Sequence, residues 1–147
     1  MQLIISIILG LAIGLGFVGT PAAISAPNNS PPPIEVTVSL SNSANELKFF
    51  PSQLEFVAGQ PYKLVLDNPS SQKHYFTAKD FADVSWTQKV QAGKVEVKGA
   101  IHELELLPGG KADWVFVPMK PGTYELHCSI PGHTEAGMVG EIAIVAL

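Results

Sequence analysis

The chain has no arginine, one cysteine, and three methionines of which one is the first residue. Without arginine, nine lysines stand as scattered single residues against thirteen acids, for a formal net charge of −4. An acidic chain with no basic stripe is a poor nucleic-acid binder, so no nucleic-acid partner is expected. A single cysteine excludes any disulfide within the chain, and an unpaired thiol in an oxidising compartment has to be either inertly buried or occupied. Charge is also missing from the whole of the first 26 residues, "MQLIISIILGLAIGLGFVGTPAAISA".

That uncharged stretch reads as a signal peptide over residues 1–26, with an apolar run from Leu3 to Val18 and a small residue at Ala26 for cleavage. A proline-rich linker follows over 27–33, "PNNSPPP", where three consecutive prolines remove three backbone donors. No lysine precedes the apolar run, and residues 3–24 approach the roughly 20 apolar residues that span a bilayer. An uncleaved membrane anchor is therefore the competing reading. Either way the remainder is expected outside the cytoplasm, in a periplasm, a thylakoid lumen or another extracytoplasmic space.

Residues 34–147 suffice for one domain, and they read as short strands. "IEVTVSL" at 34–40 alternates apolar and polar side chains, the mark of a half-buried strand. "SQLEFVAGQPYKLVLDNPSS" supplies two strands around a Gly-Gln-Pro turn, and "HYFTA" is a further short β-prone run. Lys79 to Ser85 is irregular or one helical turn, while "TQKV" and "VEVKGAIHELELL" look like strands, the second long and bent at Gly99. "ADWVFVP", "YELHC" and "VGEIAIVA" complete the set. Seven to eight short strands with regular turn signals predict an all-β fold, an antiparallel β-sandwich.

The lone cysteine lies in "YELHCSIPGHTEAGMVG", ahead of a histidine and then a methionine: Cys128, His133 and Met138, four residues in each gap. Strand alternation puts Tyr124, Leu126 and Cys128 on the core face and leaves His127 pointing outward. Taken singly, Cys128 could be a small core residue, His133 a loop residue and Met138 a gap filler. Together, around a loop constrained by Pro131, Gly132 and Gly137, they bring thiolate, imidazole and thioether to one pole of the sandwich. Zinc seldom takes a thioether, whereas one Cys and two His with a weak axial Met suit copper. The second histidine has to come from elsewhere, and His74, opening "HYFTA", is preferred to His102, which reads as a strand-surface residue.

These segments, "YELHCSIPGHTEAGMVGEIAIV" with "PGGKADWVFVPMKPGT" and "LVLDNPSSQKHYF", resemble the cupredoxin family of small blue-copper proteins. The likeness runs from about Ile34 to Leu147 and is closest to single-domain exported bacterial members. It implies an eight-strand Greek-key sandwich and one type 1 copper held by His74, Cys128, His133 and Met138. Many members carry asparagine directly after the first histidine, bonded around the cysteine loop. Here that position is Tyr75, and Asn68 or Ser70 are the candidates to replace it.

A site whose four coordination positions are all protein side chains implies electron transfer rather than catalysis. His133, framed by Ile130, Pro131 and Ala136, would then be the electron port for transient docking of redox partner proteins. The chain is expected to act as a monomer, with a membrane involved only if the N-terminal segment is retained. A copper-delivery protein using the same ligands is the alternative, and a metal-free interaction module a third reading. The His127-Cys128 pair resembles the wiring of copper nitrite reductases, but the further histidines and second domain such enzymes need are missing.

Overall fold

The computed structural model describes residues 31–147, so the signal-peptide or anchor reading and most of the linker lie outside the described residues. Eleven strand segments and one short helix follow in chain order: β1 (Ile34–Leu40), β2 (Phe49–Phe50), β3 (Gln53–Val57), β4 (Tyr62–Asp67), β5 (His74–Thr77), α1 (Lys79–Asp83), β6 (Ser85–Ala92), β7 (Val95–Val97), β8 (Glu103–Leu106), β9 (Lys111–Pro118), β10 (Gly122–His127) and β11 (Val139–Val145). They form two sheets, β2-β1-β4-β9-β6-β7 and β3-β11-β10-β5-β8. Among the described residues no helix is long and apolar enough to cross a membrane.

The alternating segments do what their period requires. In β4, Tyr62, Leu64 and Leu66 are buried and the residues between them are half-buried; β3 buries Leu54 and Phe56 in the same way. The two inner faces meet over an aromatic core in which Phe81, on the single turn of α1, packs against Phe56, Trp114 and Phe116 with ring centroids 5.7, 5.6 and 5.3 Å away. Burying that much aromatic surface is a large part of what holds the sheets together. Trp114 also needs a partner for its ring N–H, and it donates to Thr87 Oγ1 at 3.1 Å.

The observed sandwich differs from the expected one in three respects. The strand segments number eleven rather than seven or eight, the additions including the two-residue β2 and the three-residue β7. Pairing is mostly antiparallel, but β1 runs parallel to β4 and β3 parallel to β11, because the Gly-Gln-Pro turn carries the chain between sheets instead of closing a hairpin. The long strand anticipated over "VEVKGAIHELELL" is two: β7 belongs to one sheet and β8 to the other. Gly99 between them takes φ +117°, a conformation open to glycine and closed to strand residues.

Strand direction fixes where the two ends of the described residues lie. β1 starts beside Tyr62, β11 finishes beside Val57, and Gly59 N–H donates to Pro118 O at 2.8 Å, so both ends meet at one pole. The other pole gathers the end of β4, the start of β5 and the exit of β10.

Candidate metal centre

Two connections at that second pole carry the candidate ligands, one between β4 and β5 and one between β10 and β11. The β4–β5 turn is shaped by Asn68, whose buried side chain donates from Nδ2 to Gln72 O at 2.7 Å and to Leu106 O at 2.9 Å. Its Oδ1 accepts from Ser70 N–H at 3.1 Å and from Ser70 Oγ at 2.8 Å. The turn therefore delivers His74 to the first position of β5, with its ring fully enclosed. Asn68 and Ser70 hold the histidine's own turn; they do not reach the cysteine loop, contrary to the role expected of them.

Cys128 follows the last residue of β10, and Met138 precedes the first of β11. Their backbones close the loop: Cys128 N–H donates to Met138 O at 3.1 Å, and Met138 N–H donates to His133 O at 2.9 Å. Inside it, His133 N–H reaches Ile130 O at 3.0 Å, and Thr134 Oγ1 donates to Cys128 O at 3.1 Å. An eleven-residue connection is thus folded into a tight cap rather than left as a free loop.

Within this cap the ligating atoms of His74, Cys128 and His133 all lie within 4.8 Å of one another. Cys128 Sγ is 4.0 Å from His74 Nδ1 and 3.5 Å from His133 Nδ1, and the two imidazoles stand 5.2 Å apart between ring centroids. Metal–nitrogen and metal–sulfur bonds of the lengths zinc makes, set 120° apart, would leave nitrogen and sulfur about 3.7 Å apart. The observed spacings straddle that value. Cys128 and Met138 are fully buried in one core cluster, while His133 is partly exposed.

The electrostatics suit a metal as well. Burial pushes the His74 imidazole below its ordinary pKa, and the neighbouring His133 adds to the effect. A neutral ring presents a lone pair without first losing a proton. His74 Nδ1 faces Cys128 Sγ and is the nitrogen placed for a metal, while its Nε2 is buried with no hydrogen-bond partner. Cys128 Sγ accepts one backbone bond, from Tyr75 N–H at 3.3 Å.

The remaining histidines stand apart. His102 is on the surface, its Nε2 2.6 Å from Asp83 Oδ1. His127 points away from Cys128 as strand parity requires, and its Nδ1 lies 3.0 Å from Glu125 Oε1, within ion-pair reach though not aligned as a hydrogen bond. One further residue went unnoticed in the sequence: Glu103, at the start of β8, accepts from Ser129 Oγ at 2.6 Å and from Thr77 Oγ1 at 2.8 Å. No motif marks it, since the contact depends on how the strands pair.

A β-sandwich closed at one pole over a buried thiol, two imidazoles and a buried thioether defines a small protein for a single soft metal ion. The chain belongs to the copper-binding plastocyanin/azurin family, whose model matches residues 36–145. Copper is accordingly the metal that this donor set takes. The chain is 30% identical over 133 residues to a chloroplastic plastocyanin from Fritillaria agrestis, covering 90% of this chain and 72% of that one. It is 26% identical over 102 residues to the copper-resistant cuproprotein CopI of Rubrivivax gelatinosus, a match spanning 69% of this chain and 62% of the relative. Among solved structures, the dithionite-reduced auracyanin of Roseiflexus castenholzii shares the fold with a TM-score of 0.53 at 18% identity, over 76% of this chain and 96% of that one.

Proposed function

We propose that the protein is a one-electron carrier serving extracytoplasmic redox partners, with copper held by His74, Cys128, His133 and Met138. When bound, copper supplies exchange of a single electron between its Cu(II) and Cu(I) forms. The chain's part is to hold four donors in one arrangement, so that little has to move when the charge on the metal changes. His74 and His133 contribute Nδ1, Cys128 its thiolate and Met138 a weaker thioether that tunes the potential.

The observation that carries this reading is burial. His74, Cys128 and Met138 are each 0% exposed, which favours an ion kept in place over one exposed to a substrate. His133 alone reaches outward, beside the half-buried Ile130 and the exposed Pro131 and Ala136. An apolar rim of that kind suits brief docking through a small contact area, with the electron passing through the imidazole. No catalytic residue is assigned, and the carrier acts as a monomer. Of histidine, cysteine and carboxylate side chains, the described residues gather one such cluster, not the two that a wired catalytic pair requires.

The likeness to a copper-resistant cuproprotein favours a second reading, copper binding and delivery through the same donors. The two differ in whether the metal leaves. The visible spectrum of the copper-loaded, oxidised protein tests the first: an intense thiolate-to-copper band, with a reversible one-electron titration, is expected. A colourless protein that binds Cu(I) and passes it to a chelator promptly would put delivery in its place. Cys128→Ser should abolish the colour while leaving the far-ultraviolet circular dichroism intact; retained colour would overturn the ligand assignment.

A further inference from the structure

The cap over the site is closed at its base by backbone bonds, but its first side chain is tied elsewhere. Ser129, directly after Cys128, donates through Oγ to Glu103 Oε2 at 2.6 Å, and Thr77 Oγ1 donates to that same oxygen at 2.8 Å. Thr77 pairs in register with Glu103 of β8 on one side and with His127 of β10 on the other. One carboxylate oxygen therefore bridges β8, β5 and the exit of β10, on the outer face of the sheet behind Cys128.

Thr134 Oγ1 holds Cys128 O from within the cap itself, but among the described side chains no other than Glu103 ties that exit to β8. Asn68 spends both Nδ2 protons on Gln72 O and Leu106 O and both Oδ1 acceptor sites on Ser70. Tyr75 bonds through its hydroxyl to Glu105, further along β8. Ser70 Oγ lies 2.8 Å from Gln72 O as well as from Asn68 Oδ1, so its one proton stays within its own turn.

We propose that Glu103 is a positioning residue for the metal centre: through Ser129 it fixes the backbone on the far side of Cys128, and through Thr77 it locks that backbone to the strand carrying His74. This rests on the copper-carrier reading of the site. A site of this kind needs its donors held to within about half an ångström, and β10, which leads into Cys128, meets β5, which opens at His74, through the one registered pair of His127 with Thr77. Tyr75 N–H bonds Cys128 Sγ directly, and the clasp adds a side-chain link across the outer face of the sheet. Hydrogen bonds from Ser129 and then Thr77 hold the Glu103 carboxyl below its ordinary pKa, so the clasp is anionic at neutral pH. Its charge lies behind the thiolate and favours the more positive Cu(II) form.

Geometry and charge separate by substitution. Ser129→Ala removes the link to the cysteine and keeps the charge; Glu103→Gln removes the charge and keeps an oxygen acceptor; Glu103→Ala removes both. In the copper-loaded protein, Ser129→Ala should release Cu(I) to a competing chelator about three- to tenfold faster, the effect of losing one hydrogen bond, Glu103→Ala, which loses two, at least as fast, and both should shift the visible band. Glu103→Gln should restore release rate and band while still raising the reduction potential. In metal-free protein, amide exchange at Ser129 and Ile130 should quicken in Ser129→Ala and Glu103→Ala. Wild-type release, spectrum and amide exchange in both of these variants would overturn the proposal. Failure of the carrier reading would show separately, as wild-type protein without colour, and amide exchange would still decide on the clasp. Ser129 is exposed, so its variant folds and keeps the test valid if Glu103→Ala does not.

Discussion

The ring of His74 is fully buried with Nδ1 4.0 Å from Cys128 Sγ, whereas Nε2 of His102 sits 2.6 Å from Asp83 Oδ1 on a surface where its side chain is 47% exposed. Residue chemistry is the same and environment decides the role. His74→Ala should therefore abolish copper colour, and His102→Ala should leave both colour and potential at wild-type values; absorption and voltammetry on the two variants check this. The weak donor is open to the same treatment. Replacing the thioether of Met138 by an amide oxygen in Met138→Gln offers a harder ligand that favours Cu(II), so the reduction potential should fall. An unchanged potential would remove Met138 from the donor set.

At the scale of elements, close approach sets the limits. Gly140 lies in β11 where a Cβ would come 2.5 Å from Ser52 O, the same carbonyl that accepts from Glu141 N–H at 2.8 Å. Gly140→Ala should thus push the segment before β3 away from β11 and cost about 1–3 kcal/mol, the range for overpacking. A urea titration reads this as a lower midpoint, and an unmoved midpoint would show that the Ser52 backbone yields freely. Much of this level was legible in the sequence. The period-two runs of β1, β4 and β10 were visible as strands because one face of each is buried. "VEV" reads as a strand and is one, but its break from β8 is not legible, because all three residues of β7 are exposed and their alternation does not say which sheet they join. The donors at 128, 133 and 138 were readable because they share one loop, and His74 followed from the ligand set. The Glu103–Ser129 contact joins residues 26 apart, whose proximity exists only once β5 has paired with β8.

For the whole molecule, copper is part of the stability. An ion that binds the folded chain alone adds RT ln(1 + [L]/Kd), about 2.7 kcal/mol at a hundred times Kd. In a domain of this size that raises the thermal midpoint by roughly 10–20 °C. Chelating the metal should lower the midpoint by a comparable amount, and calorimetry before and after chelation checks it; equal midpoints would mean the site contributes nothing to folding. The arrangement of the chain has another effect at this scale. Both ends of the described chain emerge together, and strands of six or seven residues put about 20 Å between them and the cap. Whatever grips the protein by residue 31 or residue 147, whether a bilayer, a bead or an electrode, holds it with His133 turned outward. A molecule bound in that way is insulated from its own support and conducts only to what arrives from solution.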